Sequence, residues 1–359
     1  MTRPEAMRRA LSALVGLALL AATPAVADVE SAVRRAAGRN AVVFVVDERD
    51  RVLVDVDGGK SFLPASTIKL FTAFAALDEL GPDFRFQTRF FLDGDELVVR
   101  GLGDPFLVSE ELDVIVAALA RRLAGRKLTG IVVDDSYFAP EVRIPGVGRT
   151  WNPYDAPNSA TAVNFNTIGV ERRGGRIVSA EEQTPLTPHA HALARGLRFQ
   201  KALRFQIGHD PADVQRYVAE LFAAKLRGVG IAVGDGVRSG RAPANKPPLY
   251  VHANSRTLAE VCKSMLASSN NFIANQIFLT LGAAALGAPA RLDKSVRFAR
   301  SFIAARPDLA GLHVVEGSGI AYENRAKGAA MVALLHRFEP YRELLRVRRG
   351  TAHKTGTLK

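Results

Sequence analysis

The run Pro64-Ala65-Ser66-Thr67-Ile68-Lys69-Leu70-Phe71 sets a serine and a lysine three residues apart at the mouth of an apolar segment. From Thr67 to Leu80 the apolar positions Ile68, Phe71, Ala75, Leu77 and Leu80 nearly encircle a helix, which predicts that this helix is buried. Residues three apart share a helix face, so Lys69 reaches the Ser66 hydroxyl. A serine hydroxyl is a weak nucleophile at neutral pH and needs an adjacent base. Lysine becomes that base only if its pKa falls from about 10.4 toward neutrality. A drop of about three units requires roughly 4 kcal/mol of bias against the ammonium. A buried helix face and a second cation supply it, and Lys354 is the natural second cation.

Two later patterns complete the set. Ser269-Asn270-Asn271 is an S-x-N triplet in a break between two helical stretches, and Lys354-Thr355-Gly356 is a K-T-G triplet expected on a strand. S-x-x-K and S-x-N each arise by chance about 0.5 times in a chain of this composition, so neither is specific alone; K-T-G arises only about 0.04 times. Ser268-Ser269-Asn270 offers a second S-x-N one residue out of register. In this order the three patterns match the signature of penicillin-recognising serine enzymes.

The likeness extends beyond the triplets. Met265 through Asn271, followed by Ala274, resembles the M-x-x-x-S-D-N-x-x-A stretch of the D-alanyl-D-alanine carboxypeptidase/endopeptidase family, the class C low-molecular-mass penicillin-binding proteins. Gly101-Leu102-Gly103-Asp104-Pro105 resembles that family's G-x-G-D-P, and Leu128-Thr129-Gly130 through Asp134-Asp135-Ser136-Tyr137-Phe138 resembles its I-T-G…D-D-S-x-F strand. Trp151, Val163-Asn164-Phe165-Asn166 and Glu316-Gly317-Ser318-Gly319 follow in the family's order.

The resemblance implies an α+β penicillin-binding, β-lactamase-like domain, an antiparallel sheet flanked by helices, with a large mixed α/β insertion. It implies a serine D,D-peptidase that cleaves D-Ala-D-Ala ends or D-Ala cross-links of peptidoglycan stem peptides and is inhibited by β-lactams. In this reading Ser66 is the nucleophile, Lys69 the base and Lys354 its electrostatic partner. Ser269 and Asn271 bridge the two lysines and the leaving group. Thr355, Gly356 and Thr357 hold the substrate's terminal carboxylate, and the backbone N–H groups of Ser66 and Thr357 form the oxyanion hole. One carboxylate of Asp134-Asp135 faces the amine of a diamino stem residue, or else the pair is a strand-end turn. Asn270 stands where the family has Asp, and Asn275 where it has Glu. The family continues past K-T-G with two strands and a helix, so the chain ending at Lys359 is expected to be short of them.

Texture along the chain sets the organisation. Ala41–Asp47 and Arg51–Asp55 read as a hairpin. Phe84–Phe91, Glu96–Arg100 and Leu128–Val133 read as strands, Glu110–Leu123 and Asp210–Arg227 as helices, and Val163–Val178 as strands about a Gly174-Gly175 turn. Helices return at Thr257–Leu266, Asn271–Leu281, Asp293–Ala305 and Ala326–Phe338. The expected division is residues 28–81 plus 249–359 for the catalytic domain and 82–248 for the insertion. Arg3, Arg8 and Arg9, the apolar run Ala10–Ala22 and Ala25-Val26-Ala27 read as an export signal over residues 1–27, with the mature protein outside the cytoplasm and without a membrane span.

Composition excludes little but points one way. The formal charge of +12 suits a polyanionic neighbourhood. Dispersed cations without interleaved aromatics give no nucleic-acid module. Cys262, the one cysteine, permits no internal disulfide and reads as a small buried hydrophobe. No cofactor or metal is expected: His189-Ala190-His191 lacks partners, Gly59-Lys60-Ser61 lacks the rest of a P-loop, Gly101-x-Gly103 lacks a third glycine, and Gly317-Ser318-Gly319 is not a nucleophile elbow. All four read as surface loops. A homo-oligomer stays possible, and two other functions stay open: a serine β-lactamase, although no E-x-x-L-N loop lies between Asn271 and Lys354, and a non-catalytic wall-binding or sensor protein.

Overall fold

The computed structural model describes residues 22–38 and 41–357. The positive start and most of the apolar run of the expected export signal lie outside them; Ala25-Val26-Ala27 falls within the first described helix, α1 (Ala22–Ala37). A hairpin follows, β1 (Val43–Val46) and β2 (Val52–Val56). Ser66 lies in a 3-10 turn, Ala65–Ile68, that leads directly into α2 (Lys69–Leu80). Every residue of α2 from Lys69 to Leu77 is buried, as apolar encirclement demands.

The segment expected to be the insertion, residues 82–248, then builds β3 (Gln87–Asp93), β4 (Glu96–Gly101), α3 (Ser109–Arg122), β5 (Lys127–Asp134), β6 (Thr167–Arg173), β7 (Arg176–Ser179), α4 (Pro188–Gly196), β8 (Ala202–Gln206), α5 (Pro211–Gly228) and β9 (Ala232–Ser239), and β10 (Tyr250–Ala253) follows just beyond it. Five of these strands form one mixed sheet in the order β10-β3-β4-β5-β9, with β4, β5 and β9 parallel; β7-β6-β8 form a second, antiparallel sheet. Sequence patterning does not mark α4, β8, β9 or β10. Glycines disguise β9, Ala-Val-Gly-Asp-Gly-Val-Arg-Ser. They are there because its backbone crosses β5 closely: a Cβ on Gly130 would lie 2.2 Å from the Gly236 carbonyl oxygen.

The chain returns through α6 (Leu258–Ser268), α7 (Asn271–Leu286), α8 (Leu292–Ala304), α9 (Gly328–Phe338) and a last hairpin, β11 (Arg346–Arg348) and β12 (Thr351–His353). The antiparallel strands of this part are two separate hairpins, β1-β2 and β11-β12, not one continuous sheet.

Two apolar cores result. One joins α2 to α6, α7, α8 and α9; Phe302 of α8 sets its ring edge-on to Phe71 and Phe74 of α2 at 5.8 and 5.7 Å. The other lies between the five-stranded sheet and helices α3 and α5, around Phe90, Tyr217 and Phe222. Each fully buried side chain of this size contributes about 1.5–3 kcal/mol. Cys262 is fully buried in the first core, and burial pushes its thiol up to about 12, where it is inert.

Candidate active site

The turn that carries Ser66 is locally strained. Ala65 has φ +47°, a region that costs a non-glycine residue about 1–2 kcal/mol. Two glycines press against it. A Cβ on Gly319 (φ +82°) would lie 1.8 Å from the Ala65 carbonyl oxygen, and one on Gly356 would lie 2.8 Å from the Pro64 carbonyl oxygen and 3.0 Å from the Ser66 nitrogen. Glycine is therefore required at 319 for both space and backbone angle. The last residue of the K-T-G triplet and the E-G-S-G loop thus close on Ser66 from different parts of the chain.

Residues i and i+3 eclipse one another in a 3-10 turn, and Lys69 Nζ lies 2.9 Å from Ser66 Oγ. The same nitrogen donates to Asn271 Oδ1 at 2.7 Å and to the Ser318 carbonyl at 2.6 Å. Burial, and secondarily the charge of Lys354, lower the Lys69 pKa to about 7, against an opposing pull from Glu316. Lys354 Nζ donates to Ser269 Oγ at 3.0 Å; burial and then Arg346 bring its pKa down to about 8. One hydrogen-bonded chain thus runs Ser66–Lys69–Asn271, and Lys354–Ser269 stands beside it.

The break between α6 and α7 sets the S-x-N register. Ser269 ends α6 in a left-handed conformation, φ +55°, and Asn270 caps α7 by accepting the Ile273 N–H at 3.0 Å. Ser268 spends its hydroxyl on the Ser264 carbonyl. The out-of-register pair, Ser268 and Asn270, is therefore consumed within the helices, and Ser269 and Asn271 meet the lysines. Asparagine and aspartate cap helices equally well, which accounts for Asn270 in place of Asp.

Lys354-Thr355-Gly356 does not lie on a strand, contrary to expectation. The ladder ends at the pair Arg346↔His353, and the residue that would pair with Lys354, Leu345, instead closes a 3-10 turn. Thr355, Gly356 and Thr357 are exposed.

Of the two readings of the Asp134-Asp135 pair, the structure shows the strand-end turn for Asp134. It is buried at the end of β5, accepting the Ser136 N–H at 3.0 Å and the Ala242 N–H at 2.8 Å, with Arg100 at 3.5 Å. Both oxygens are engaged, so its task is to hold the strand-end turn. Asp135 accepts the Thr161 N–H at 2.5 Å, and burial raises its pKa to about 6.

Three supposed surface loops also prove internal. His189 is buried with its Nε2 2.8 Å from the Ile207 carbonyl, Gly101 abuts the Ala160 backbone, and Ser318 is fully buried beside Lys69. Gly59-Lys60-Ser61 is exposed, as expected. No cluster among the described residues could hold a metal ion.

Sequence reasoning missed the environment of Ser318. Glu316, fully buried, accepts the Ser318 N–H at 2.7 Å, the Ser318 hydroxyl at 2.6 Å, the Gly319 N–H at 2.6 Å and the Asn324 amide at 2.6 Å. Asn275 accepts the Gly317 N–H at 2.8 Å, and Thr72 donates to the Gly317 carbonyl at 2.7 Å. Its only sequence signal was an acid set before Gly-Ser-Gly.

Ser269 and Asn271 line one wall of a cleft of about 560 Å³ whose other wall is formed by Tyr154, Phe165, Glu181 and Arg204. A larger cavity of about 730 Å³ is lined by residues between Val133 and Arg241 together with Pro289, and includes Asp135, Ser136 and Phe138 but none of the S-x-x-K, S-x-N or K-T-G residues.

The model of the D-Ala-D-Ala carboxypeptidase 3 (S13) family matches residues 25–195 and 194–345. The chain is similar to a D-alanyl-D-alanine carboxypeptidase of Actinomadura sp. (strain R39), 27% identical over 387 aligned residues that cover 90% of this chain and 71% of that one. It is similar to D-alanyl-D-alanine carboxypeptidase DacB of Haemophilus influenzae, 24% identical over 331 residues, 80% of this chain and 68% of that one. The crystal structure of penicillin binding protein 4 (dacB) from Haemophilus influenzae shares the fold, with a TM-score of 0.67 at 20% identity, over 85% of this chain and 76% of that one. With its family model spanning most of the sequence, the chain belongs to the D-Ala-D-Ala carboxypeptidase 3 (S13) family of serine peptidases.

Proposed function

We propose that this enzyme cleaves D-alanyl-D-alanine termini and D-alanyl cross-links of peptidoglycan stem peptides through an ester on Ser66, outside the cytoplasm. The observation that carries the reading is the nearly neutral, buried Lys69 within hydrogen-bond reach of the Ser66 hydroxyl. No helix among the described residues is long and apolar enough to cross a membrane.

Ser66 Oγ attacks the carbonyl carbon of the penultimate D-alanine as its proton passes to the lone pair of Lys69. The carbonyl oxygen becomes an oxyanion facing the Ser66 and Thr357 N–H groups, where one such donor is typically worth a hundred- to a thousand-fold in rate. The C–N bond then breaks. The departing amine takes a proton through Ser269, held by Lys354, and the proton on Lys69 restores the relay. Water next attacks the ester carbonyl, giving its proton to Lys69, and Ser66 leaves with that proton. Lys354, Thr355 and Thr357 meet the substrate's terminal carboxylate, a task suited to a cation beside two exposed hydroxyls.

β-Lactams present the same carbonyl in a ring, so the amine cannot diffuse away and the ester persists. The test is intact-mass spectrometry after exposure to penicillin, with Ser66→Ala alongside. One stable adduct on the wild type and none on the variant supports the reading. An adduct on Ser269 or Ser318 sinks the assignment, and rapid turnover of penicillin makes the protein a β-lactamase instead.

A further inference from the structure

We infer that Glu316-Gly317-Ser318-Gly319 is a fourth working element of the site, in which Glu316 is a positioning residue that fixes the Ser318 carbonyl against Lys69 and so aims the amine's lone pair at Ser66. The inference rests on the acylation reading above.

It begins with donor counting. A neutral amine has two N–H donors and one lone pair, whereas an ammonium has three donors and no lone pair. Lys69 Nζ has three polar neighbours: Asn271 Oδ1, the Ser318 carbonyl and Ser66 Oγ. The first two can only accept. They take both protons of the neutral amine, and the remaining tetrahedral direction, the lone pair, falls on Ser66. If the Ser318 carbonyl shifts, the amine is free to rotate about its terminal bond and spend a proton on Ser66, which reverses the direction of transfer.

The fold goes to some cost to hold that carbonyl. A buried carboxylate is expensive unless paired or richly hydrogen-bonded. Glu316 makes no ion pair with any described lysine or arginine, and its oxygens are instead enclosed by the N–H groups and side chains of its own loop and Asn324. Asn275 and Thr72 pin Gly317 from α7 and α2. An amide could have satisfied part of this cage without the charge. The charge is what reaches Lys69: the groups bearing on that amine are Lys354, which disfavours its ammonium, and Glu316, which favours it, while Ser66, Asn271 and the Ser318 carbonyl are neutral. Glu316 keeps Lys69 from becoming too weak a base to take the serine proton, because a general base works best near the operating pH.

The experiment is the second-order rate constant for acylation by a fluorescent penicillin, measured from pH 5 to 10 on the full chain. Glu316→Gln removes the anion. Its acid limb should move to lower pH by about one unit, the usual size for a nearby charge, and its plateau should fall at least about tenfold. Glu316→Asp keeps the charge, so its limb should stay at the wild-type position whatever happens to the plateau. Thr72→Val loosens the loop without changing charge and should lower the plateau with an unmoved limb. Superimposable limbs for wild type and Glu316→Gln overturn the inference and leave Glu316 a structural residue. If Glu316→Gln fails to melt cooperatively, Thr72→Val decides, and a wild-type plateau in it overturns the inference. A wild-type protein that is never acylated marks failure of the acylation reading itself, and the inference falls with it.

Discussion

Replacing Lys69 by methionine removes one titrating group and keeps an unbranched side chain in the same helix, so the pair of proteins isolates the pH dependence that Lys69 imposes on stability. Burial and Lys354 lower the folded-state pKa from 10.5 to about 7. That shift of about 3.5 units corresponds to roughly 5 kcal/mol of bias against the ammonium, a large part of the 5–15 kcal/mol that folded domains hold. The direction follows from proton counts. Below about pH 7 both folded and unfolded chains carry the proton, and the cost of the buried ammonium is felt in full. Between about pH 7 and 10.5 the unfolded chain binds a proton that the folded chain has released, so wild-type stability rises with pH. Integrated from pH 7 to 9, the wild type should gain about 2 kcal/mol relative to Lys69→Met. Lys354 is present in both proteins, and its lowered pKa arises first from its own burial and then from Arg346; its repulsion with Lys69 is reciprocal, so the part of its titration that depends on Lys69 belongs to the measured gap. Urea denaturation of both proteins at pH 6, 7, 8 and 9 measures the gap directly. Parallel stability curves would refute the reasoning, because they mean that Lys69 keeps its proton equally in both states.

Lys69→Arg keeps a cation that cannot give up its proton and should lose acylation by at least about a thousandfold, whereas Lys354→Arg should retain a measurable part; equal, mild losses contradict the division of roles. Gly319→Ala places a methyl on the Ala65 carbonyl at a backbone angle that favours glycine, and displacement of Ser66 should cut penicillin labelling about a hundredfold; labelling at the wild-type rate removes the argument. Asn270→Asp should leave the melting temperature unchanged, while Asn270→Ala, which deletes the α7 cap, should cost about 1 kcal/mol by denaturant unfolding. A wild-type midpoint for Asn270→Ala discards the capping explanation.

What the sequence made legible was local. Ser66 and Lys69 are three residues apart, and no distant contact is needed to bring them together; α2 announces its burial by its own apolar positions. Asp134 shows the opposite case. Whether an acidic strand end turns inward depends on the Ala242 N–H, 108 residues away in the chain, and nothing near Asp134 encodes that. β9 was hidden because glycines chosen for close backbone approach look like loop glycines in isolation. Gly317-Ser318-Gly319 does not match the nucleophile-elbow pattern, yet it is the Ser318 carbonyl that meets Lys69, and every residue has a carbonyl. Where a site uses side chains, residue types reveal it; where it uses main chain, only the fold does.

The insertion is bound into this site. Asn158 donates to the Phe272 carbonyl at 3.1 Å and to Gln276 Oε1 at 2.8 Å, and Gln276 donates back to the Ser159 carbonyl at 2.5 Å. Phe165 sets its ring edge toward Phe272 at 6.3 Å and toward Phe106 at 5.4 Å. It does so from a run of three left-handed residues, Asn164, Phe165 and Asn166, with φ of +49°, +60° and +51°. Such strain persists only where the surroundings over-determine it. Here Asn164 is tied to Ser109 and Asn166 to Pro157 and Ser159. The Asn158 and Phe165 contacts with Phe272 reach the first turn of α7, which begins with Asn271. Its amide oxygen fixes one of the two protons of the neutral Lys69. The direction of the lone pair on that base is thus set from two sides, by the Glu316 loop through Ser318 and by the insertion through α7, while α2 anchors the lysine in the apolar core. A substitution at Asn158 or Phe165 therefore acts on the chemistry through geometry at Asn271, without changing any group that touches the reacting atoms.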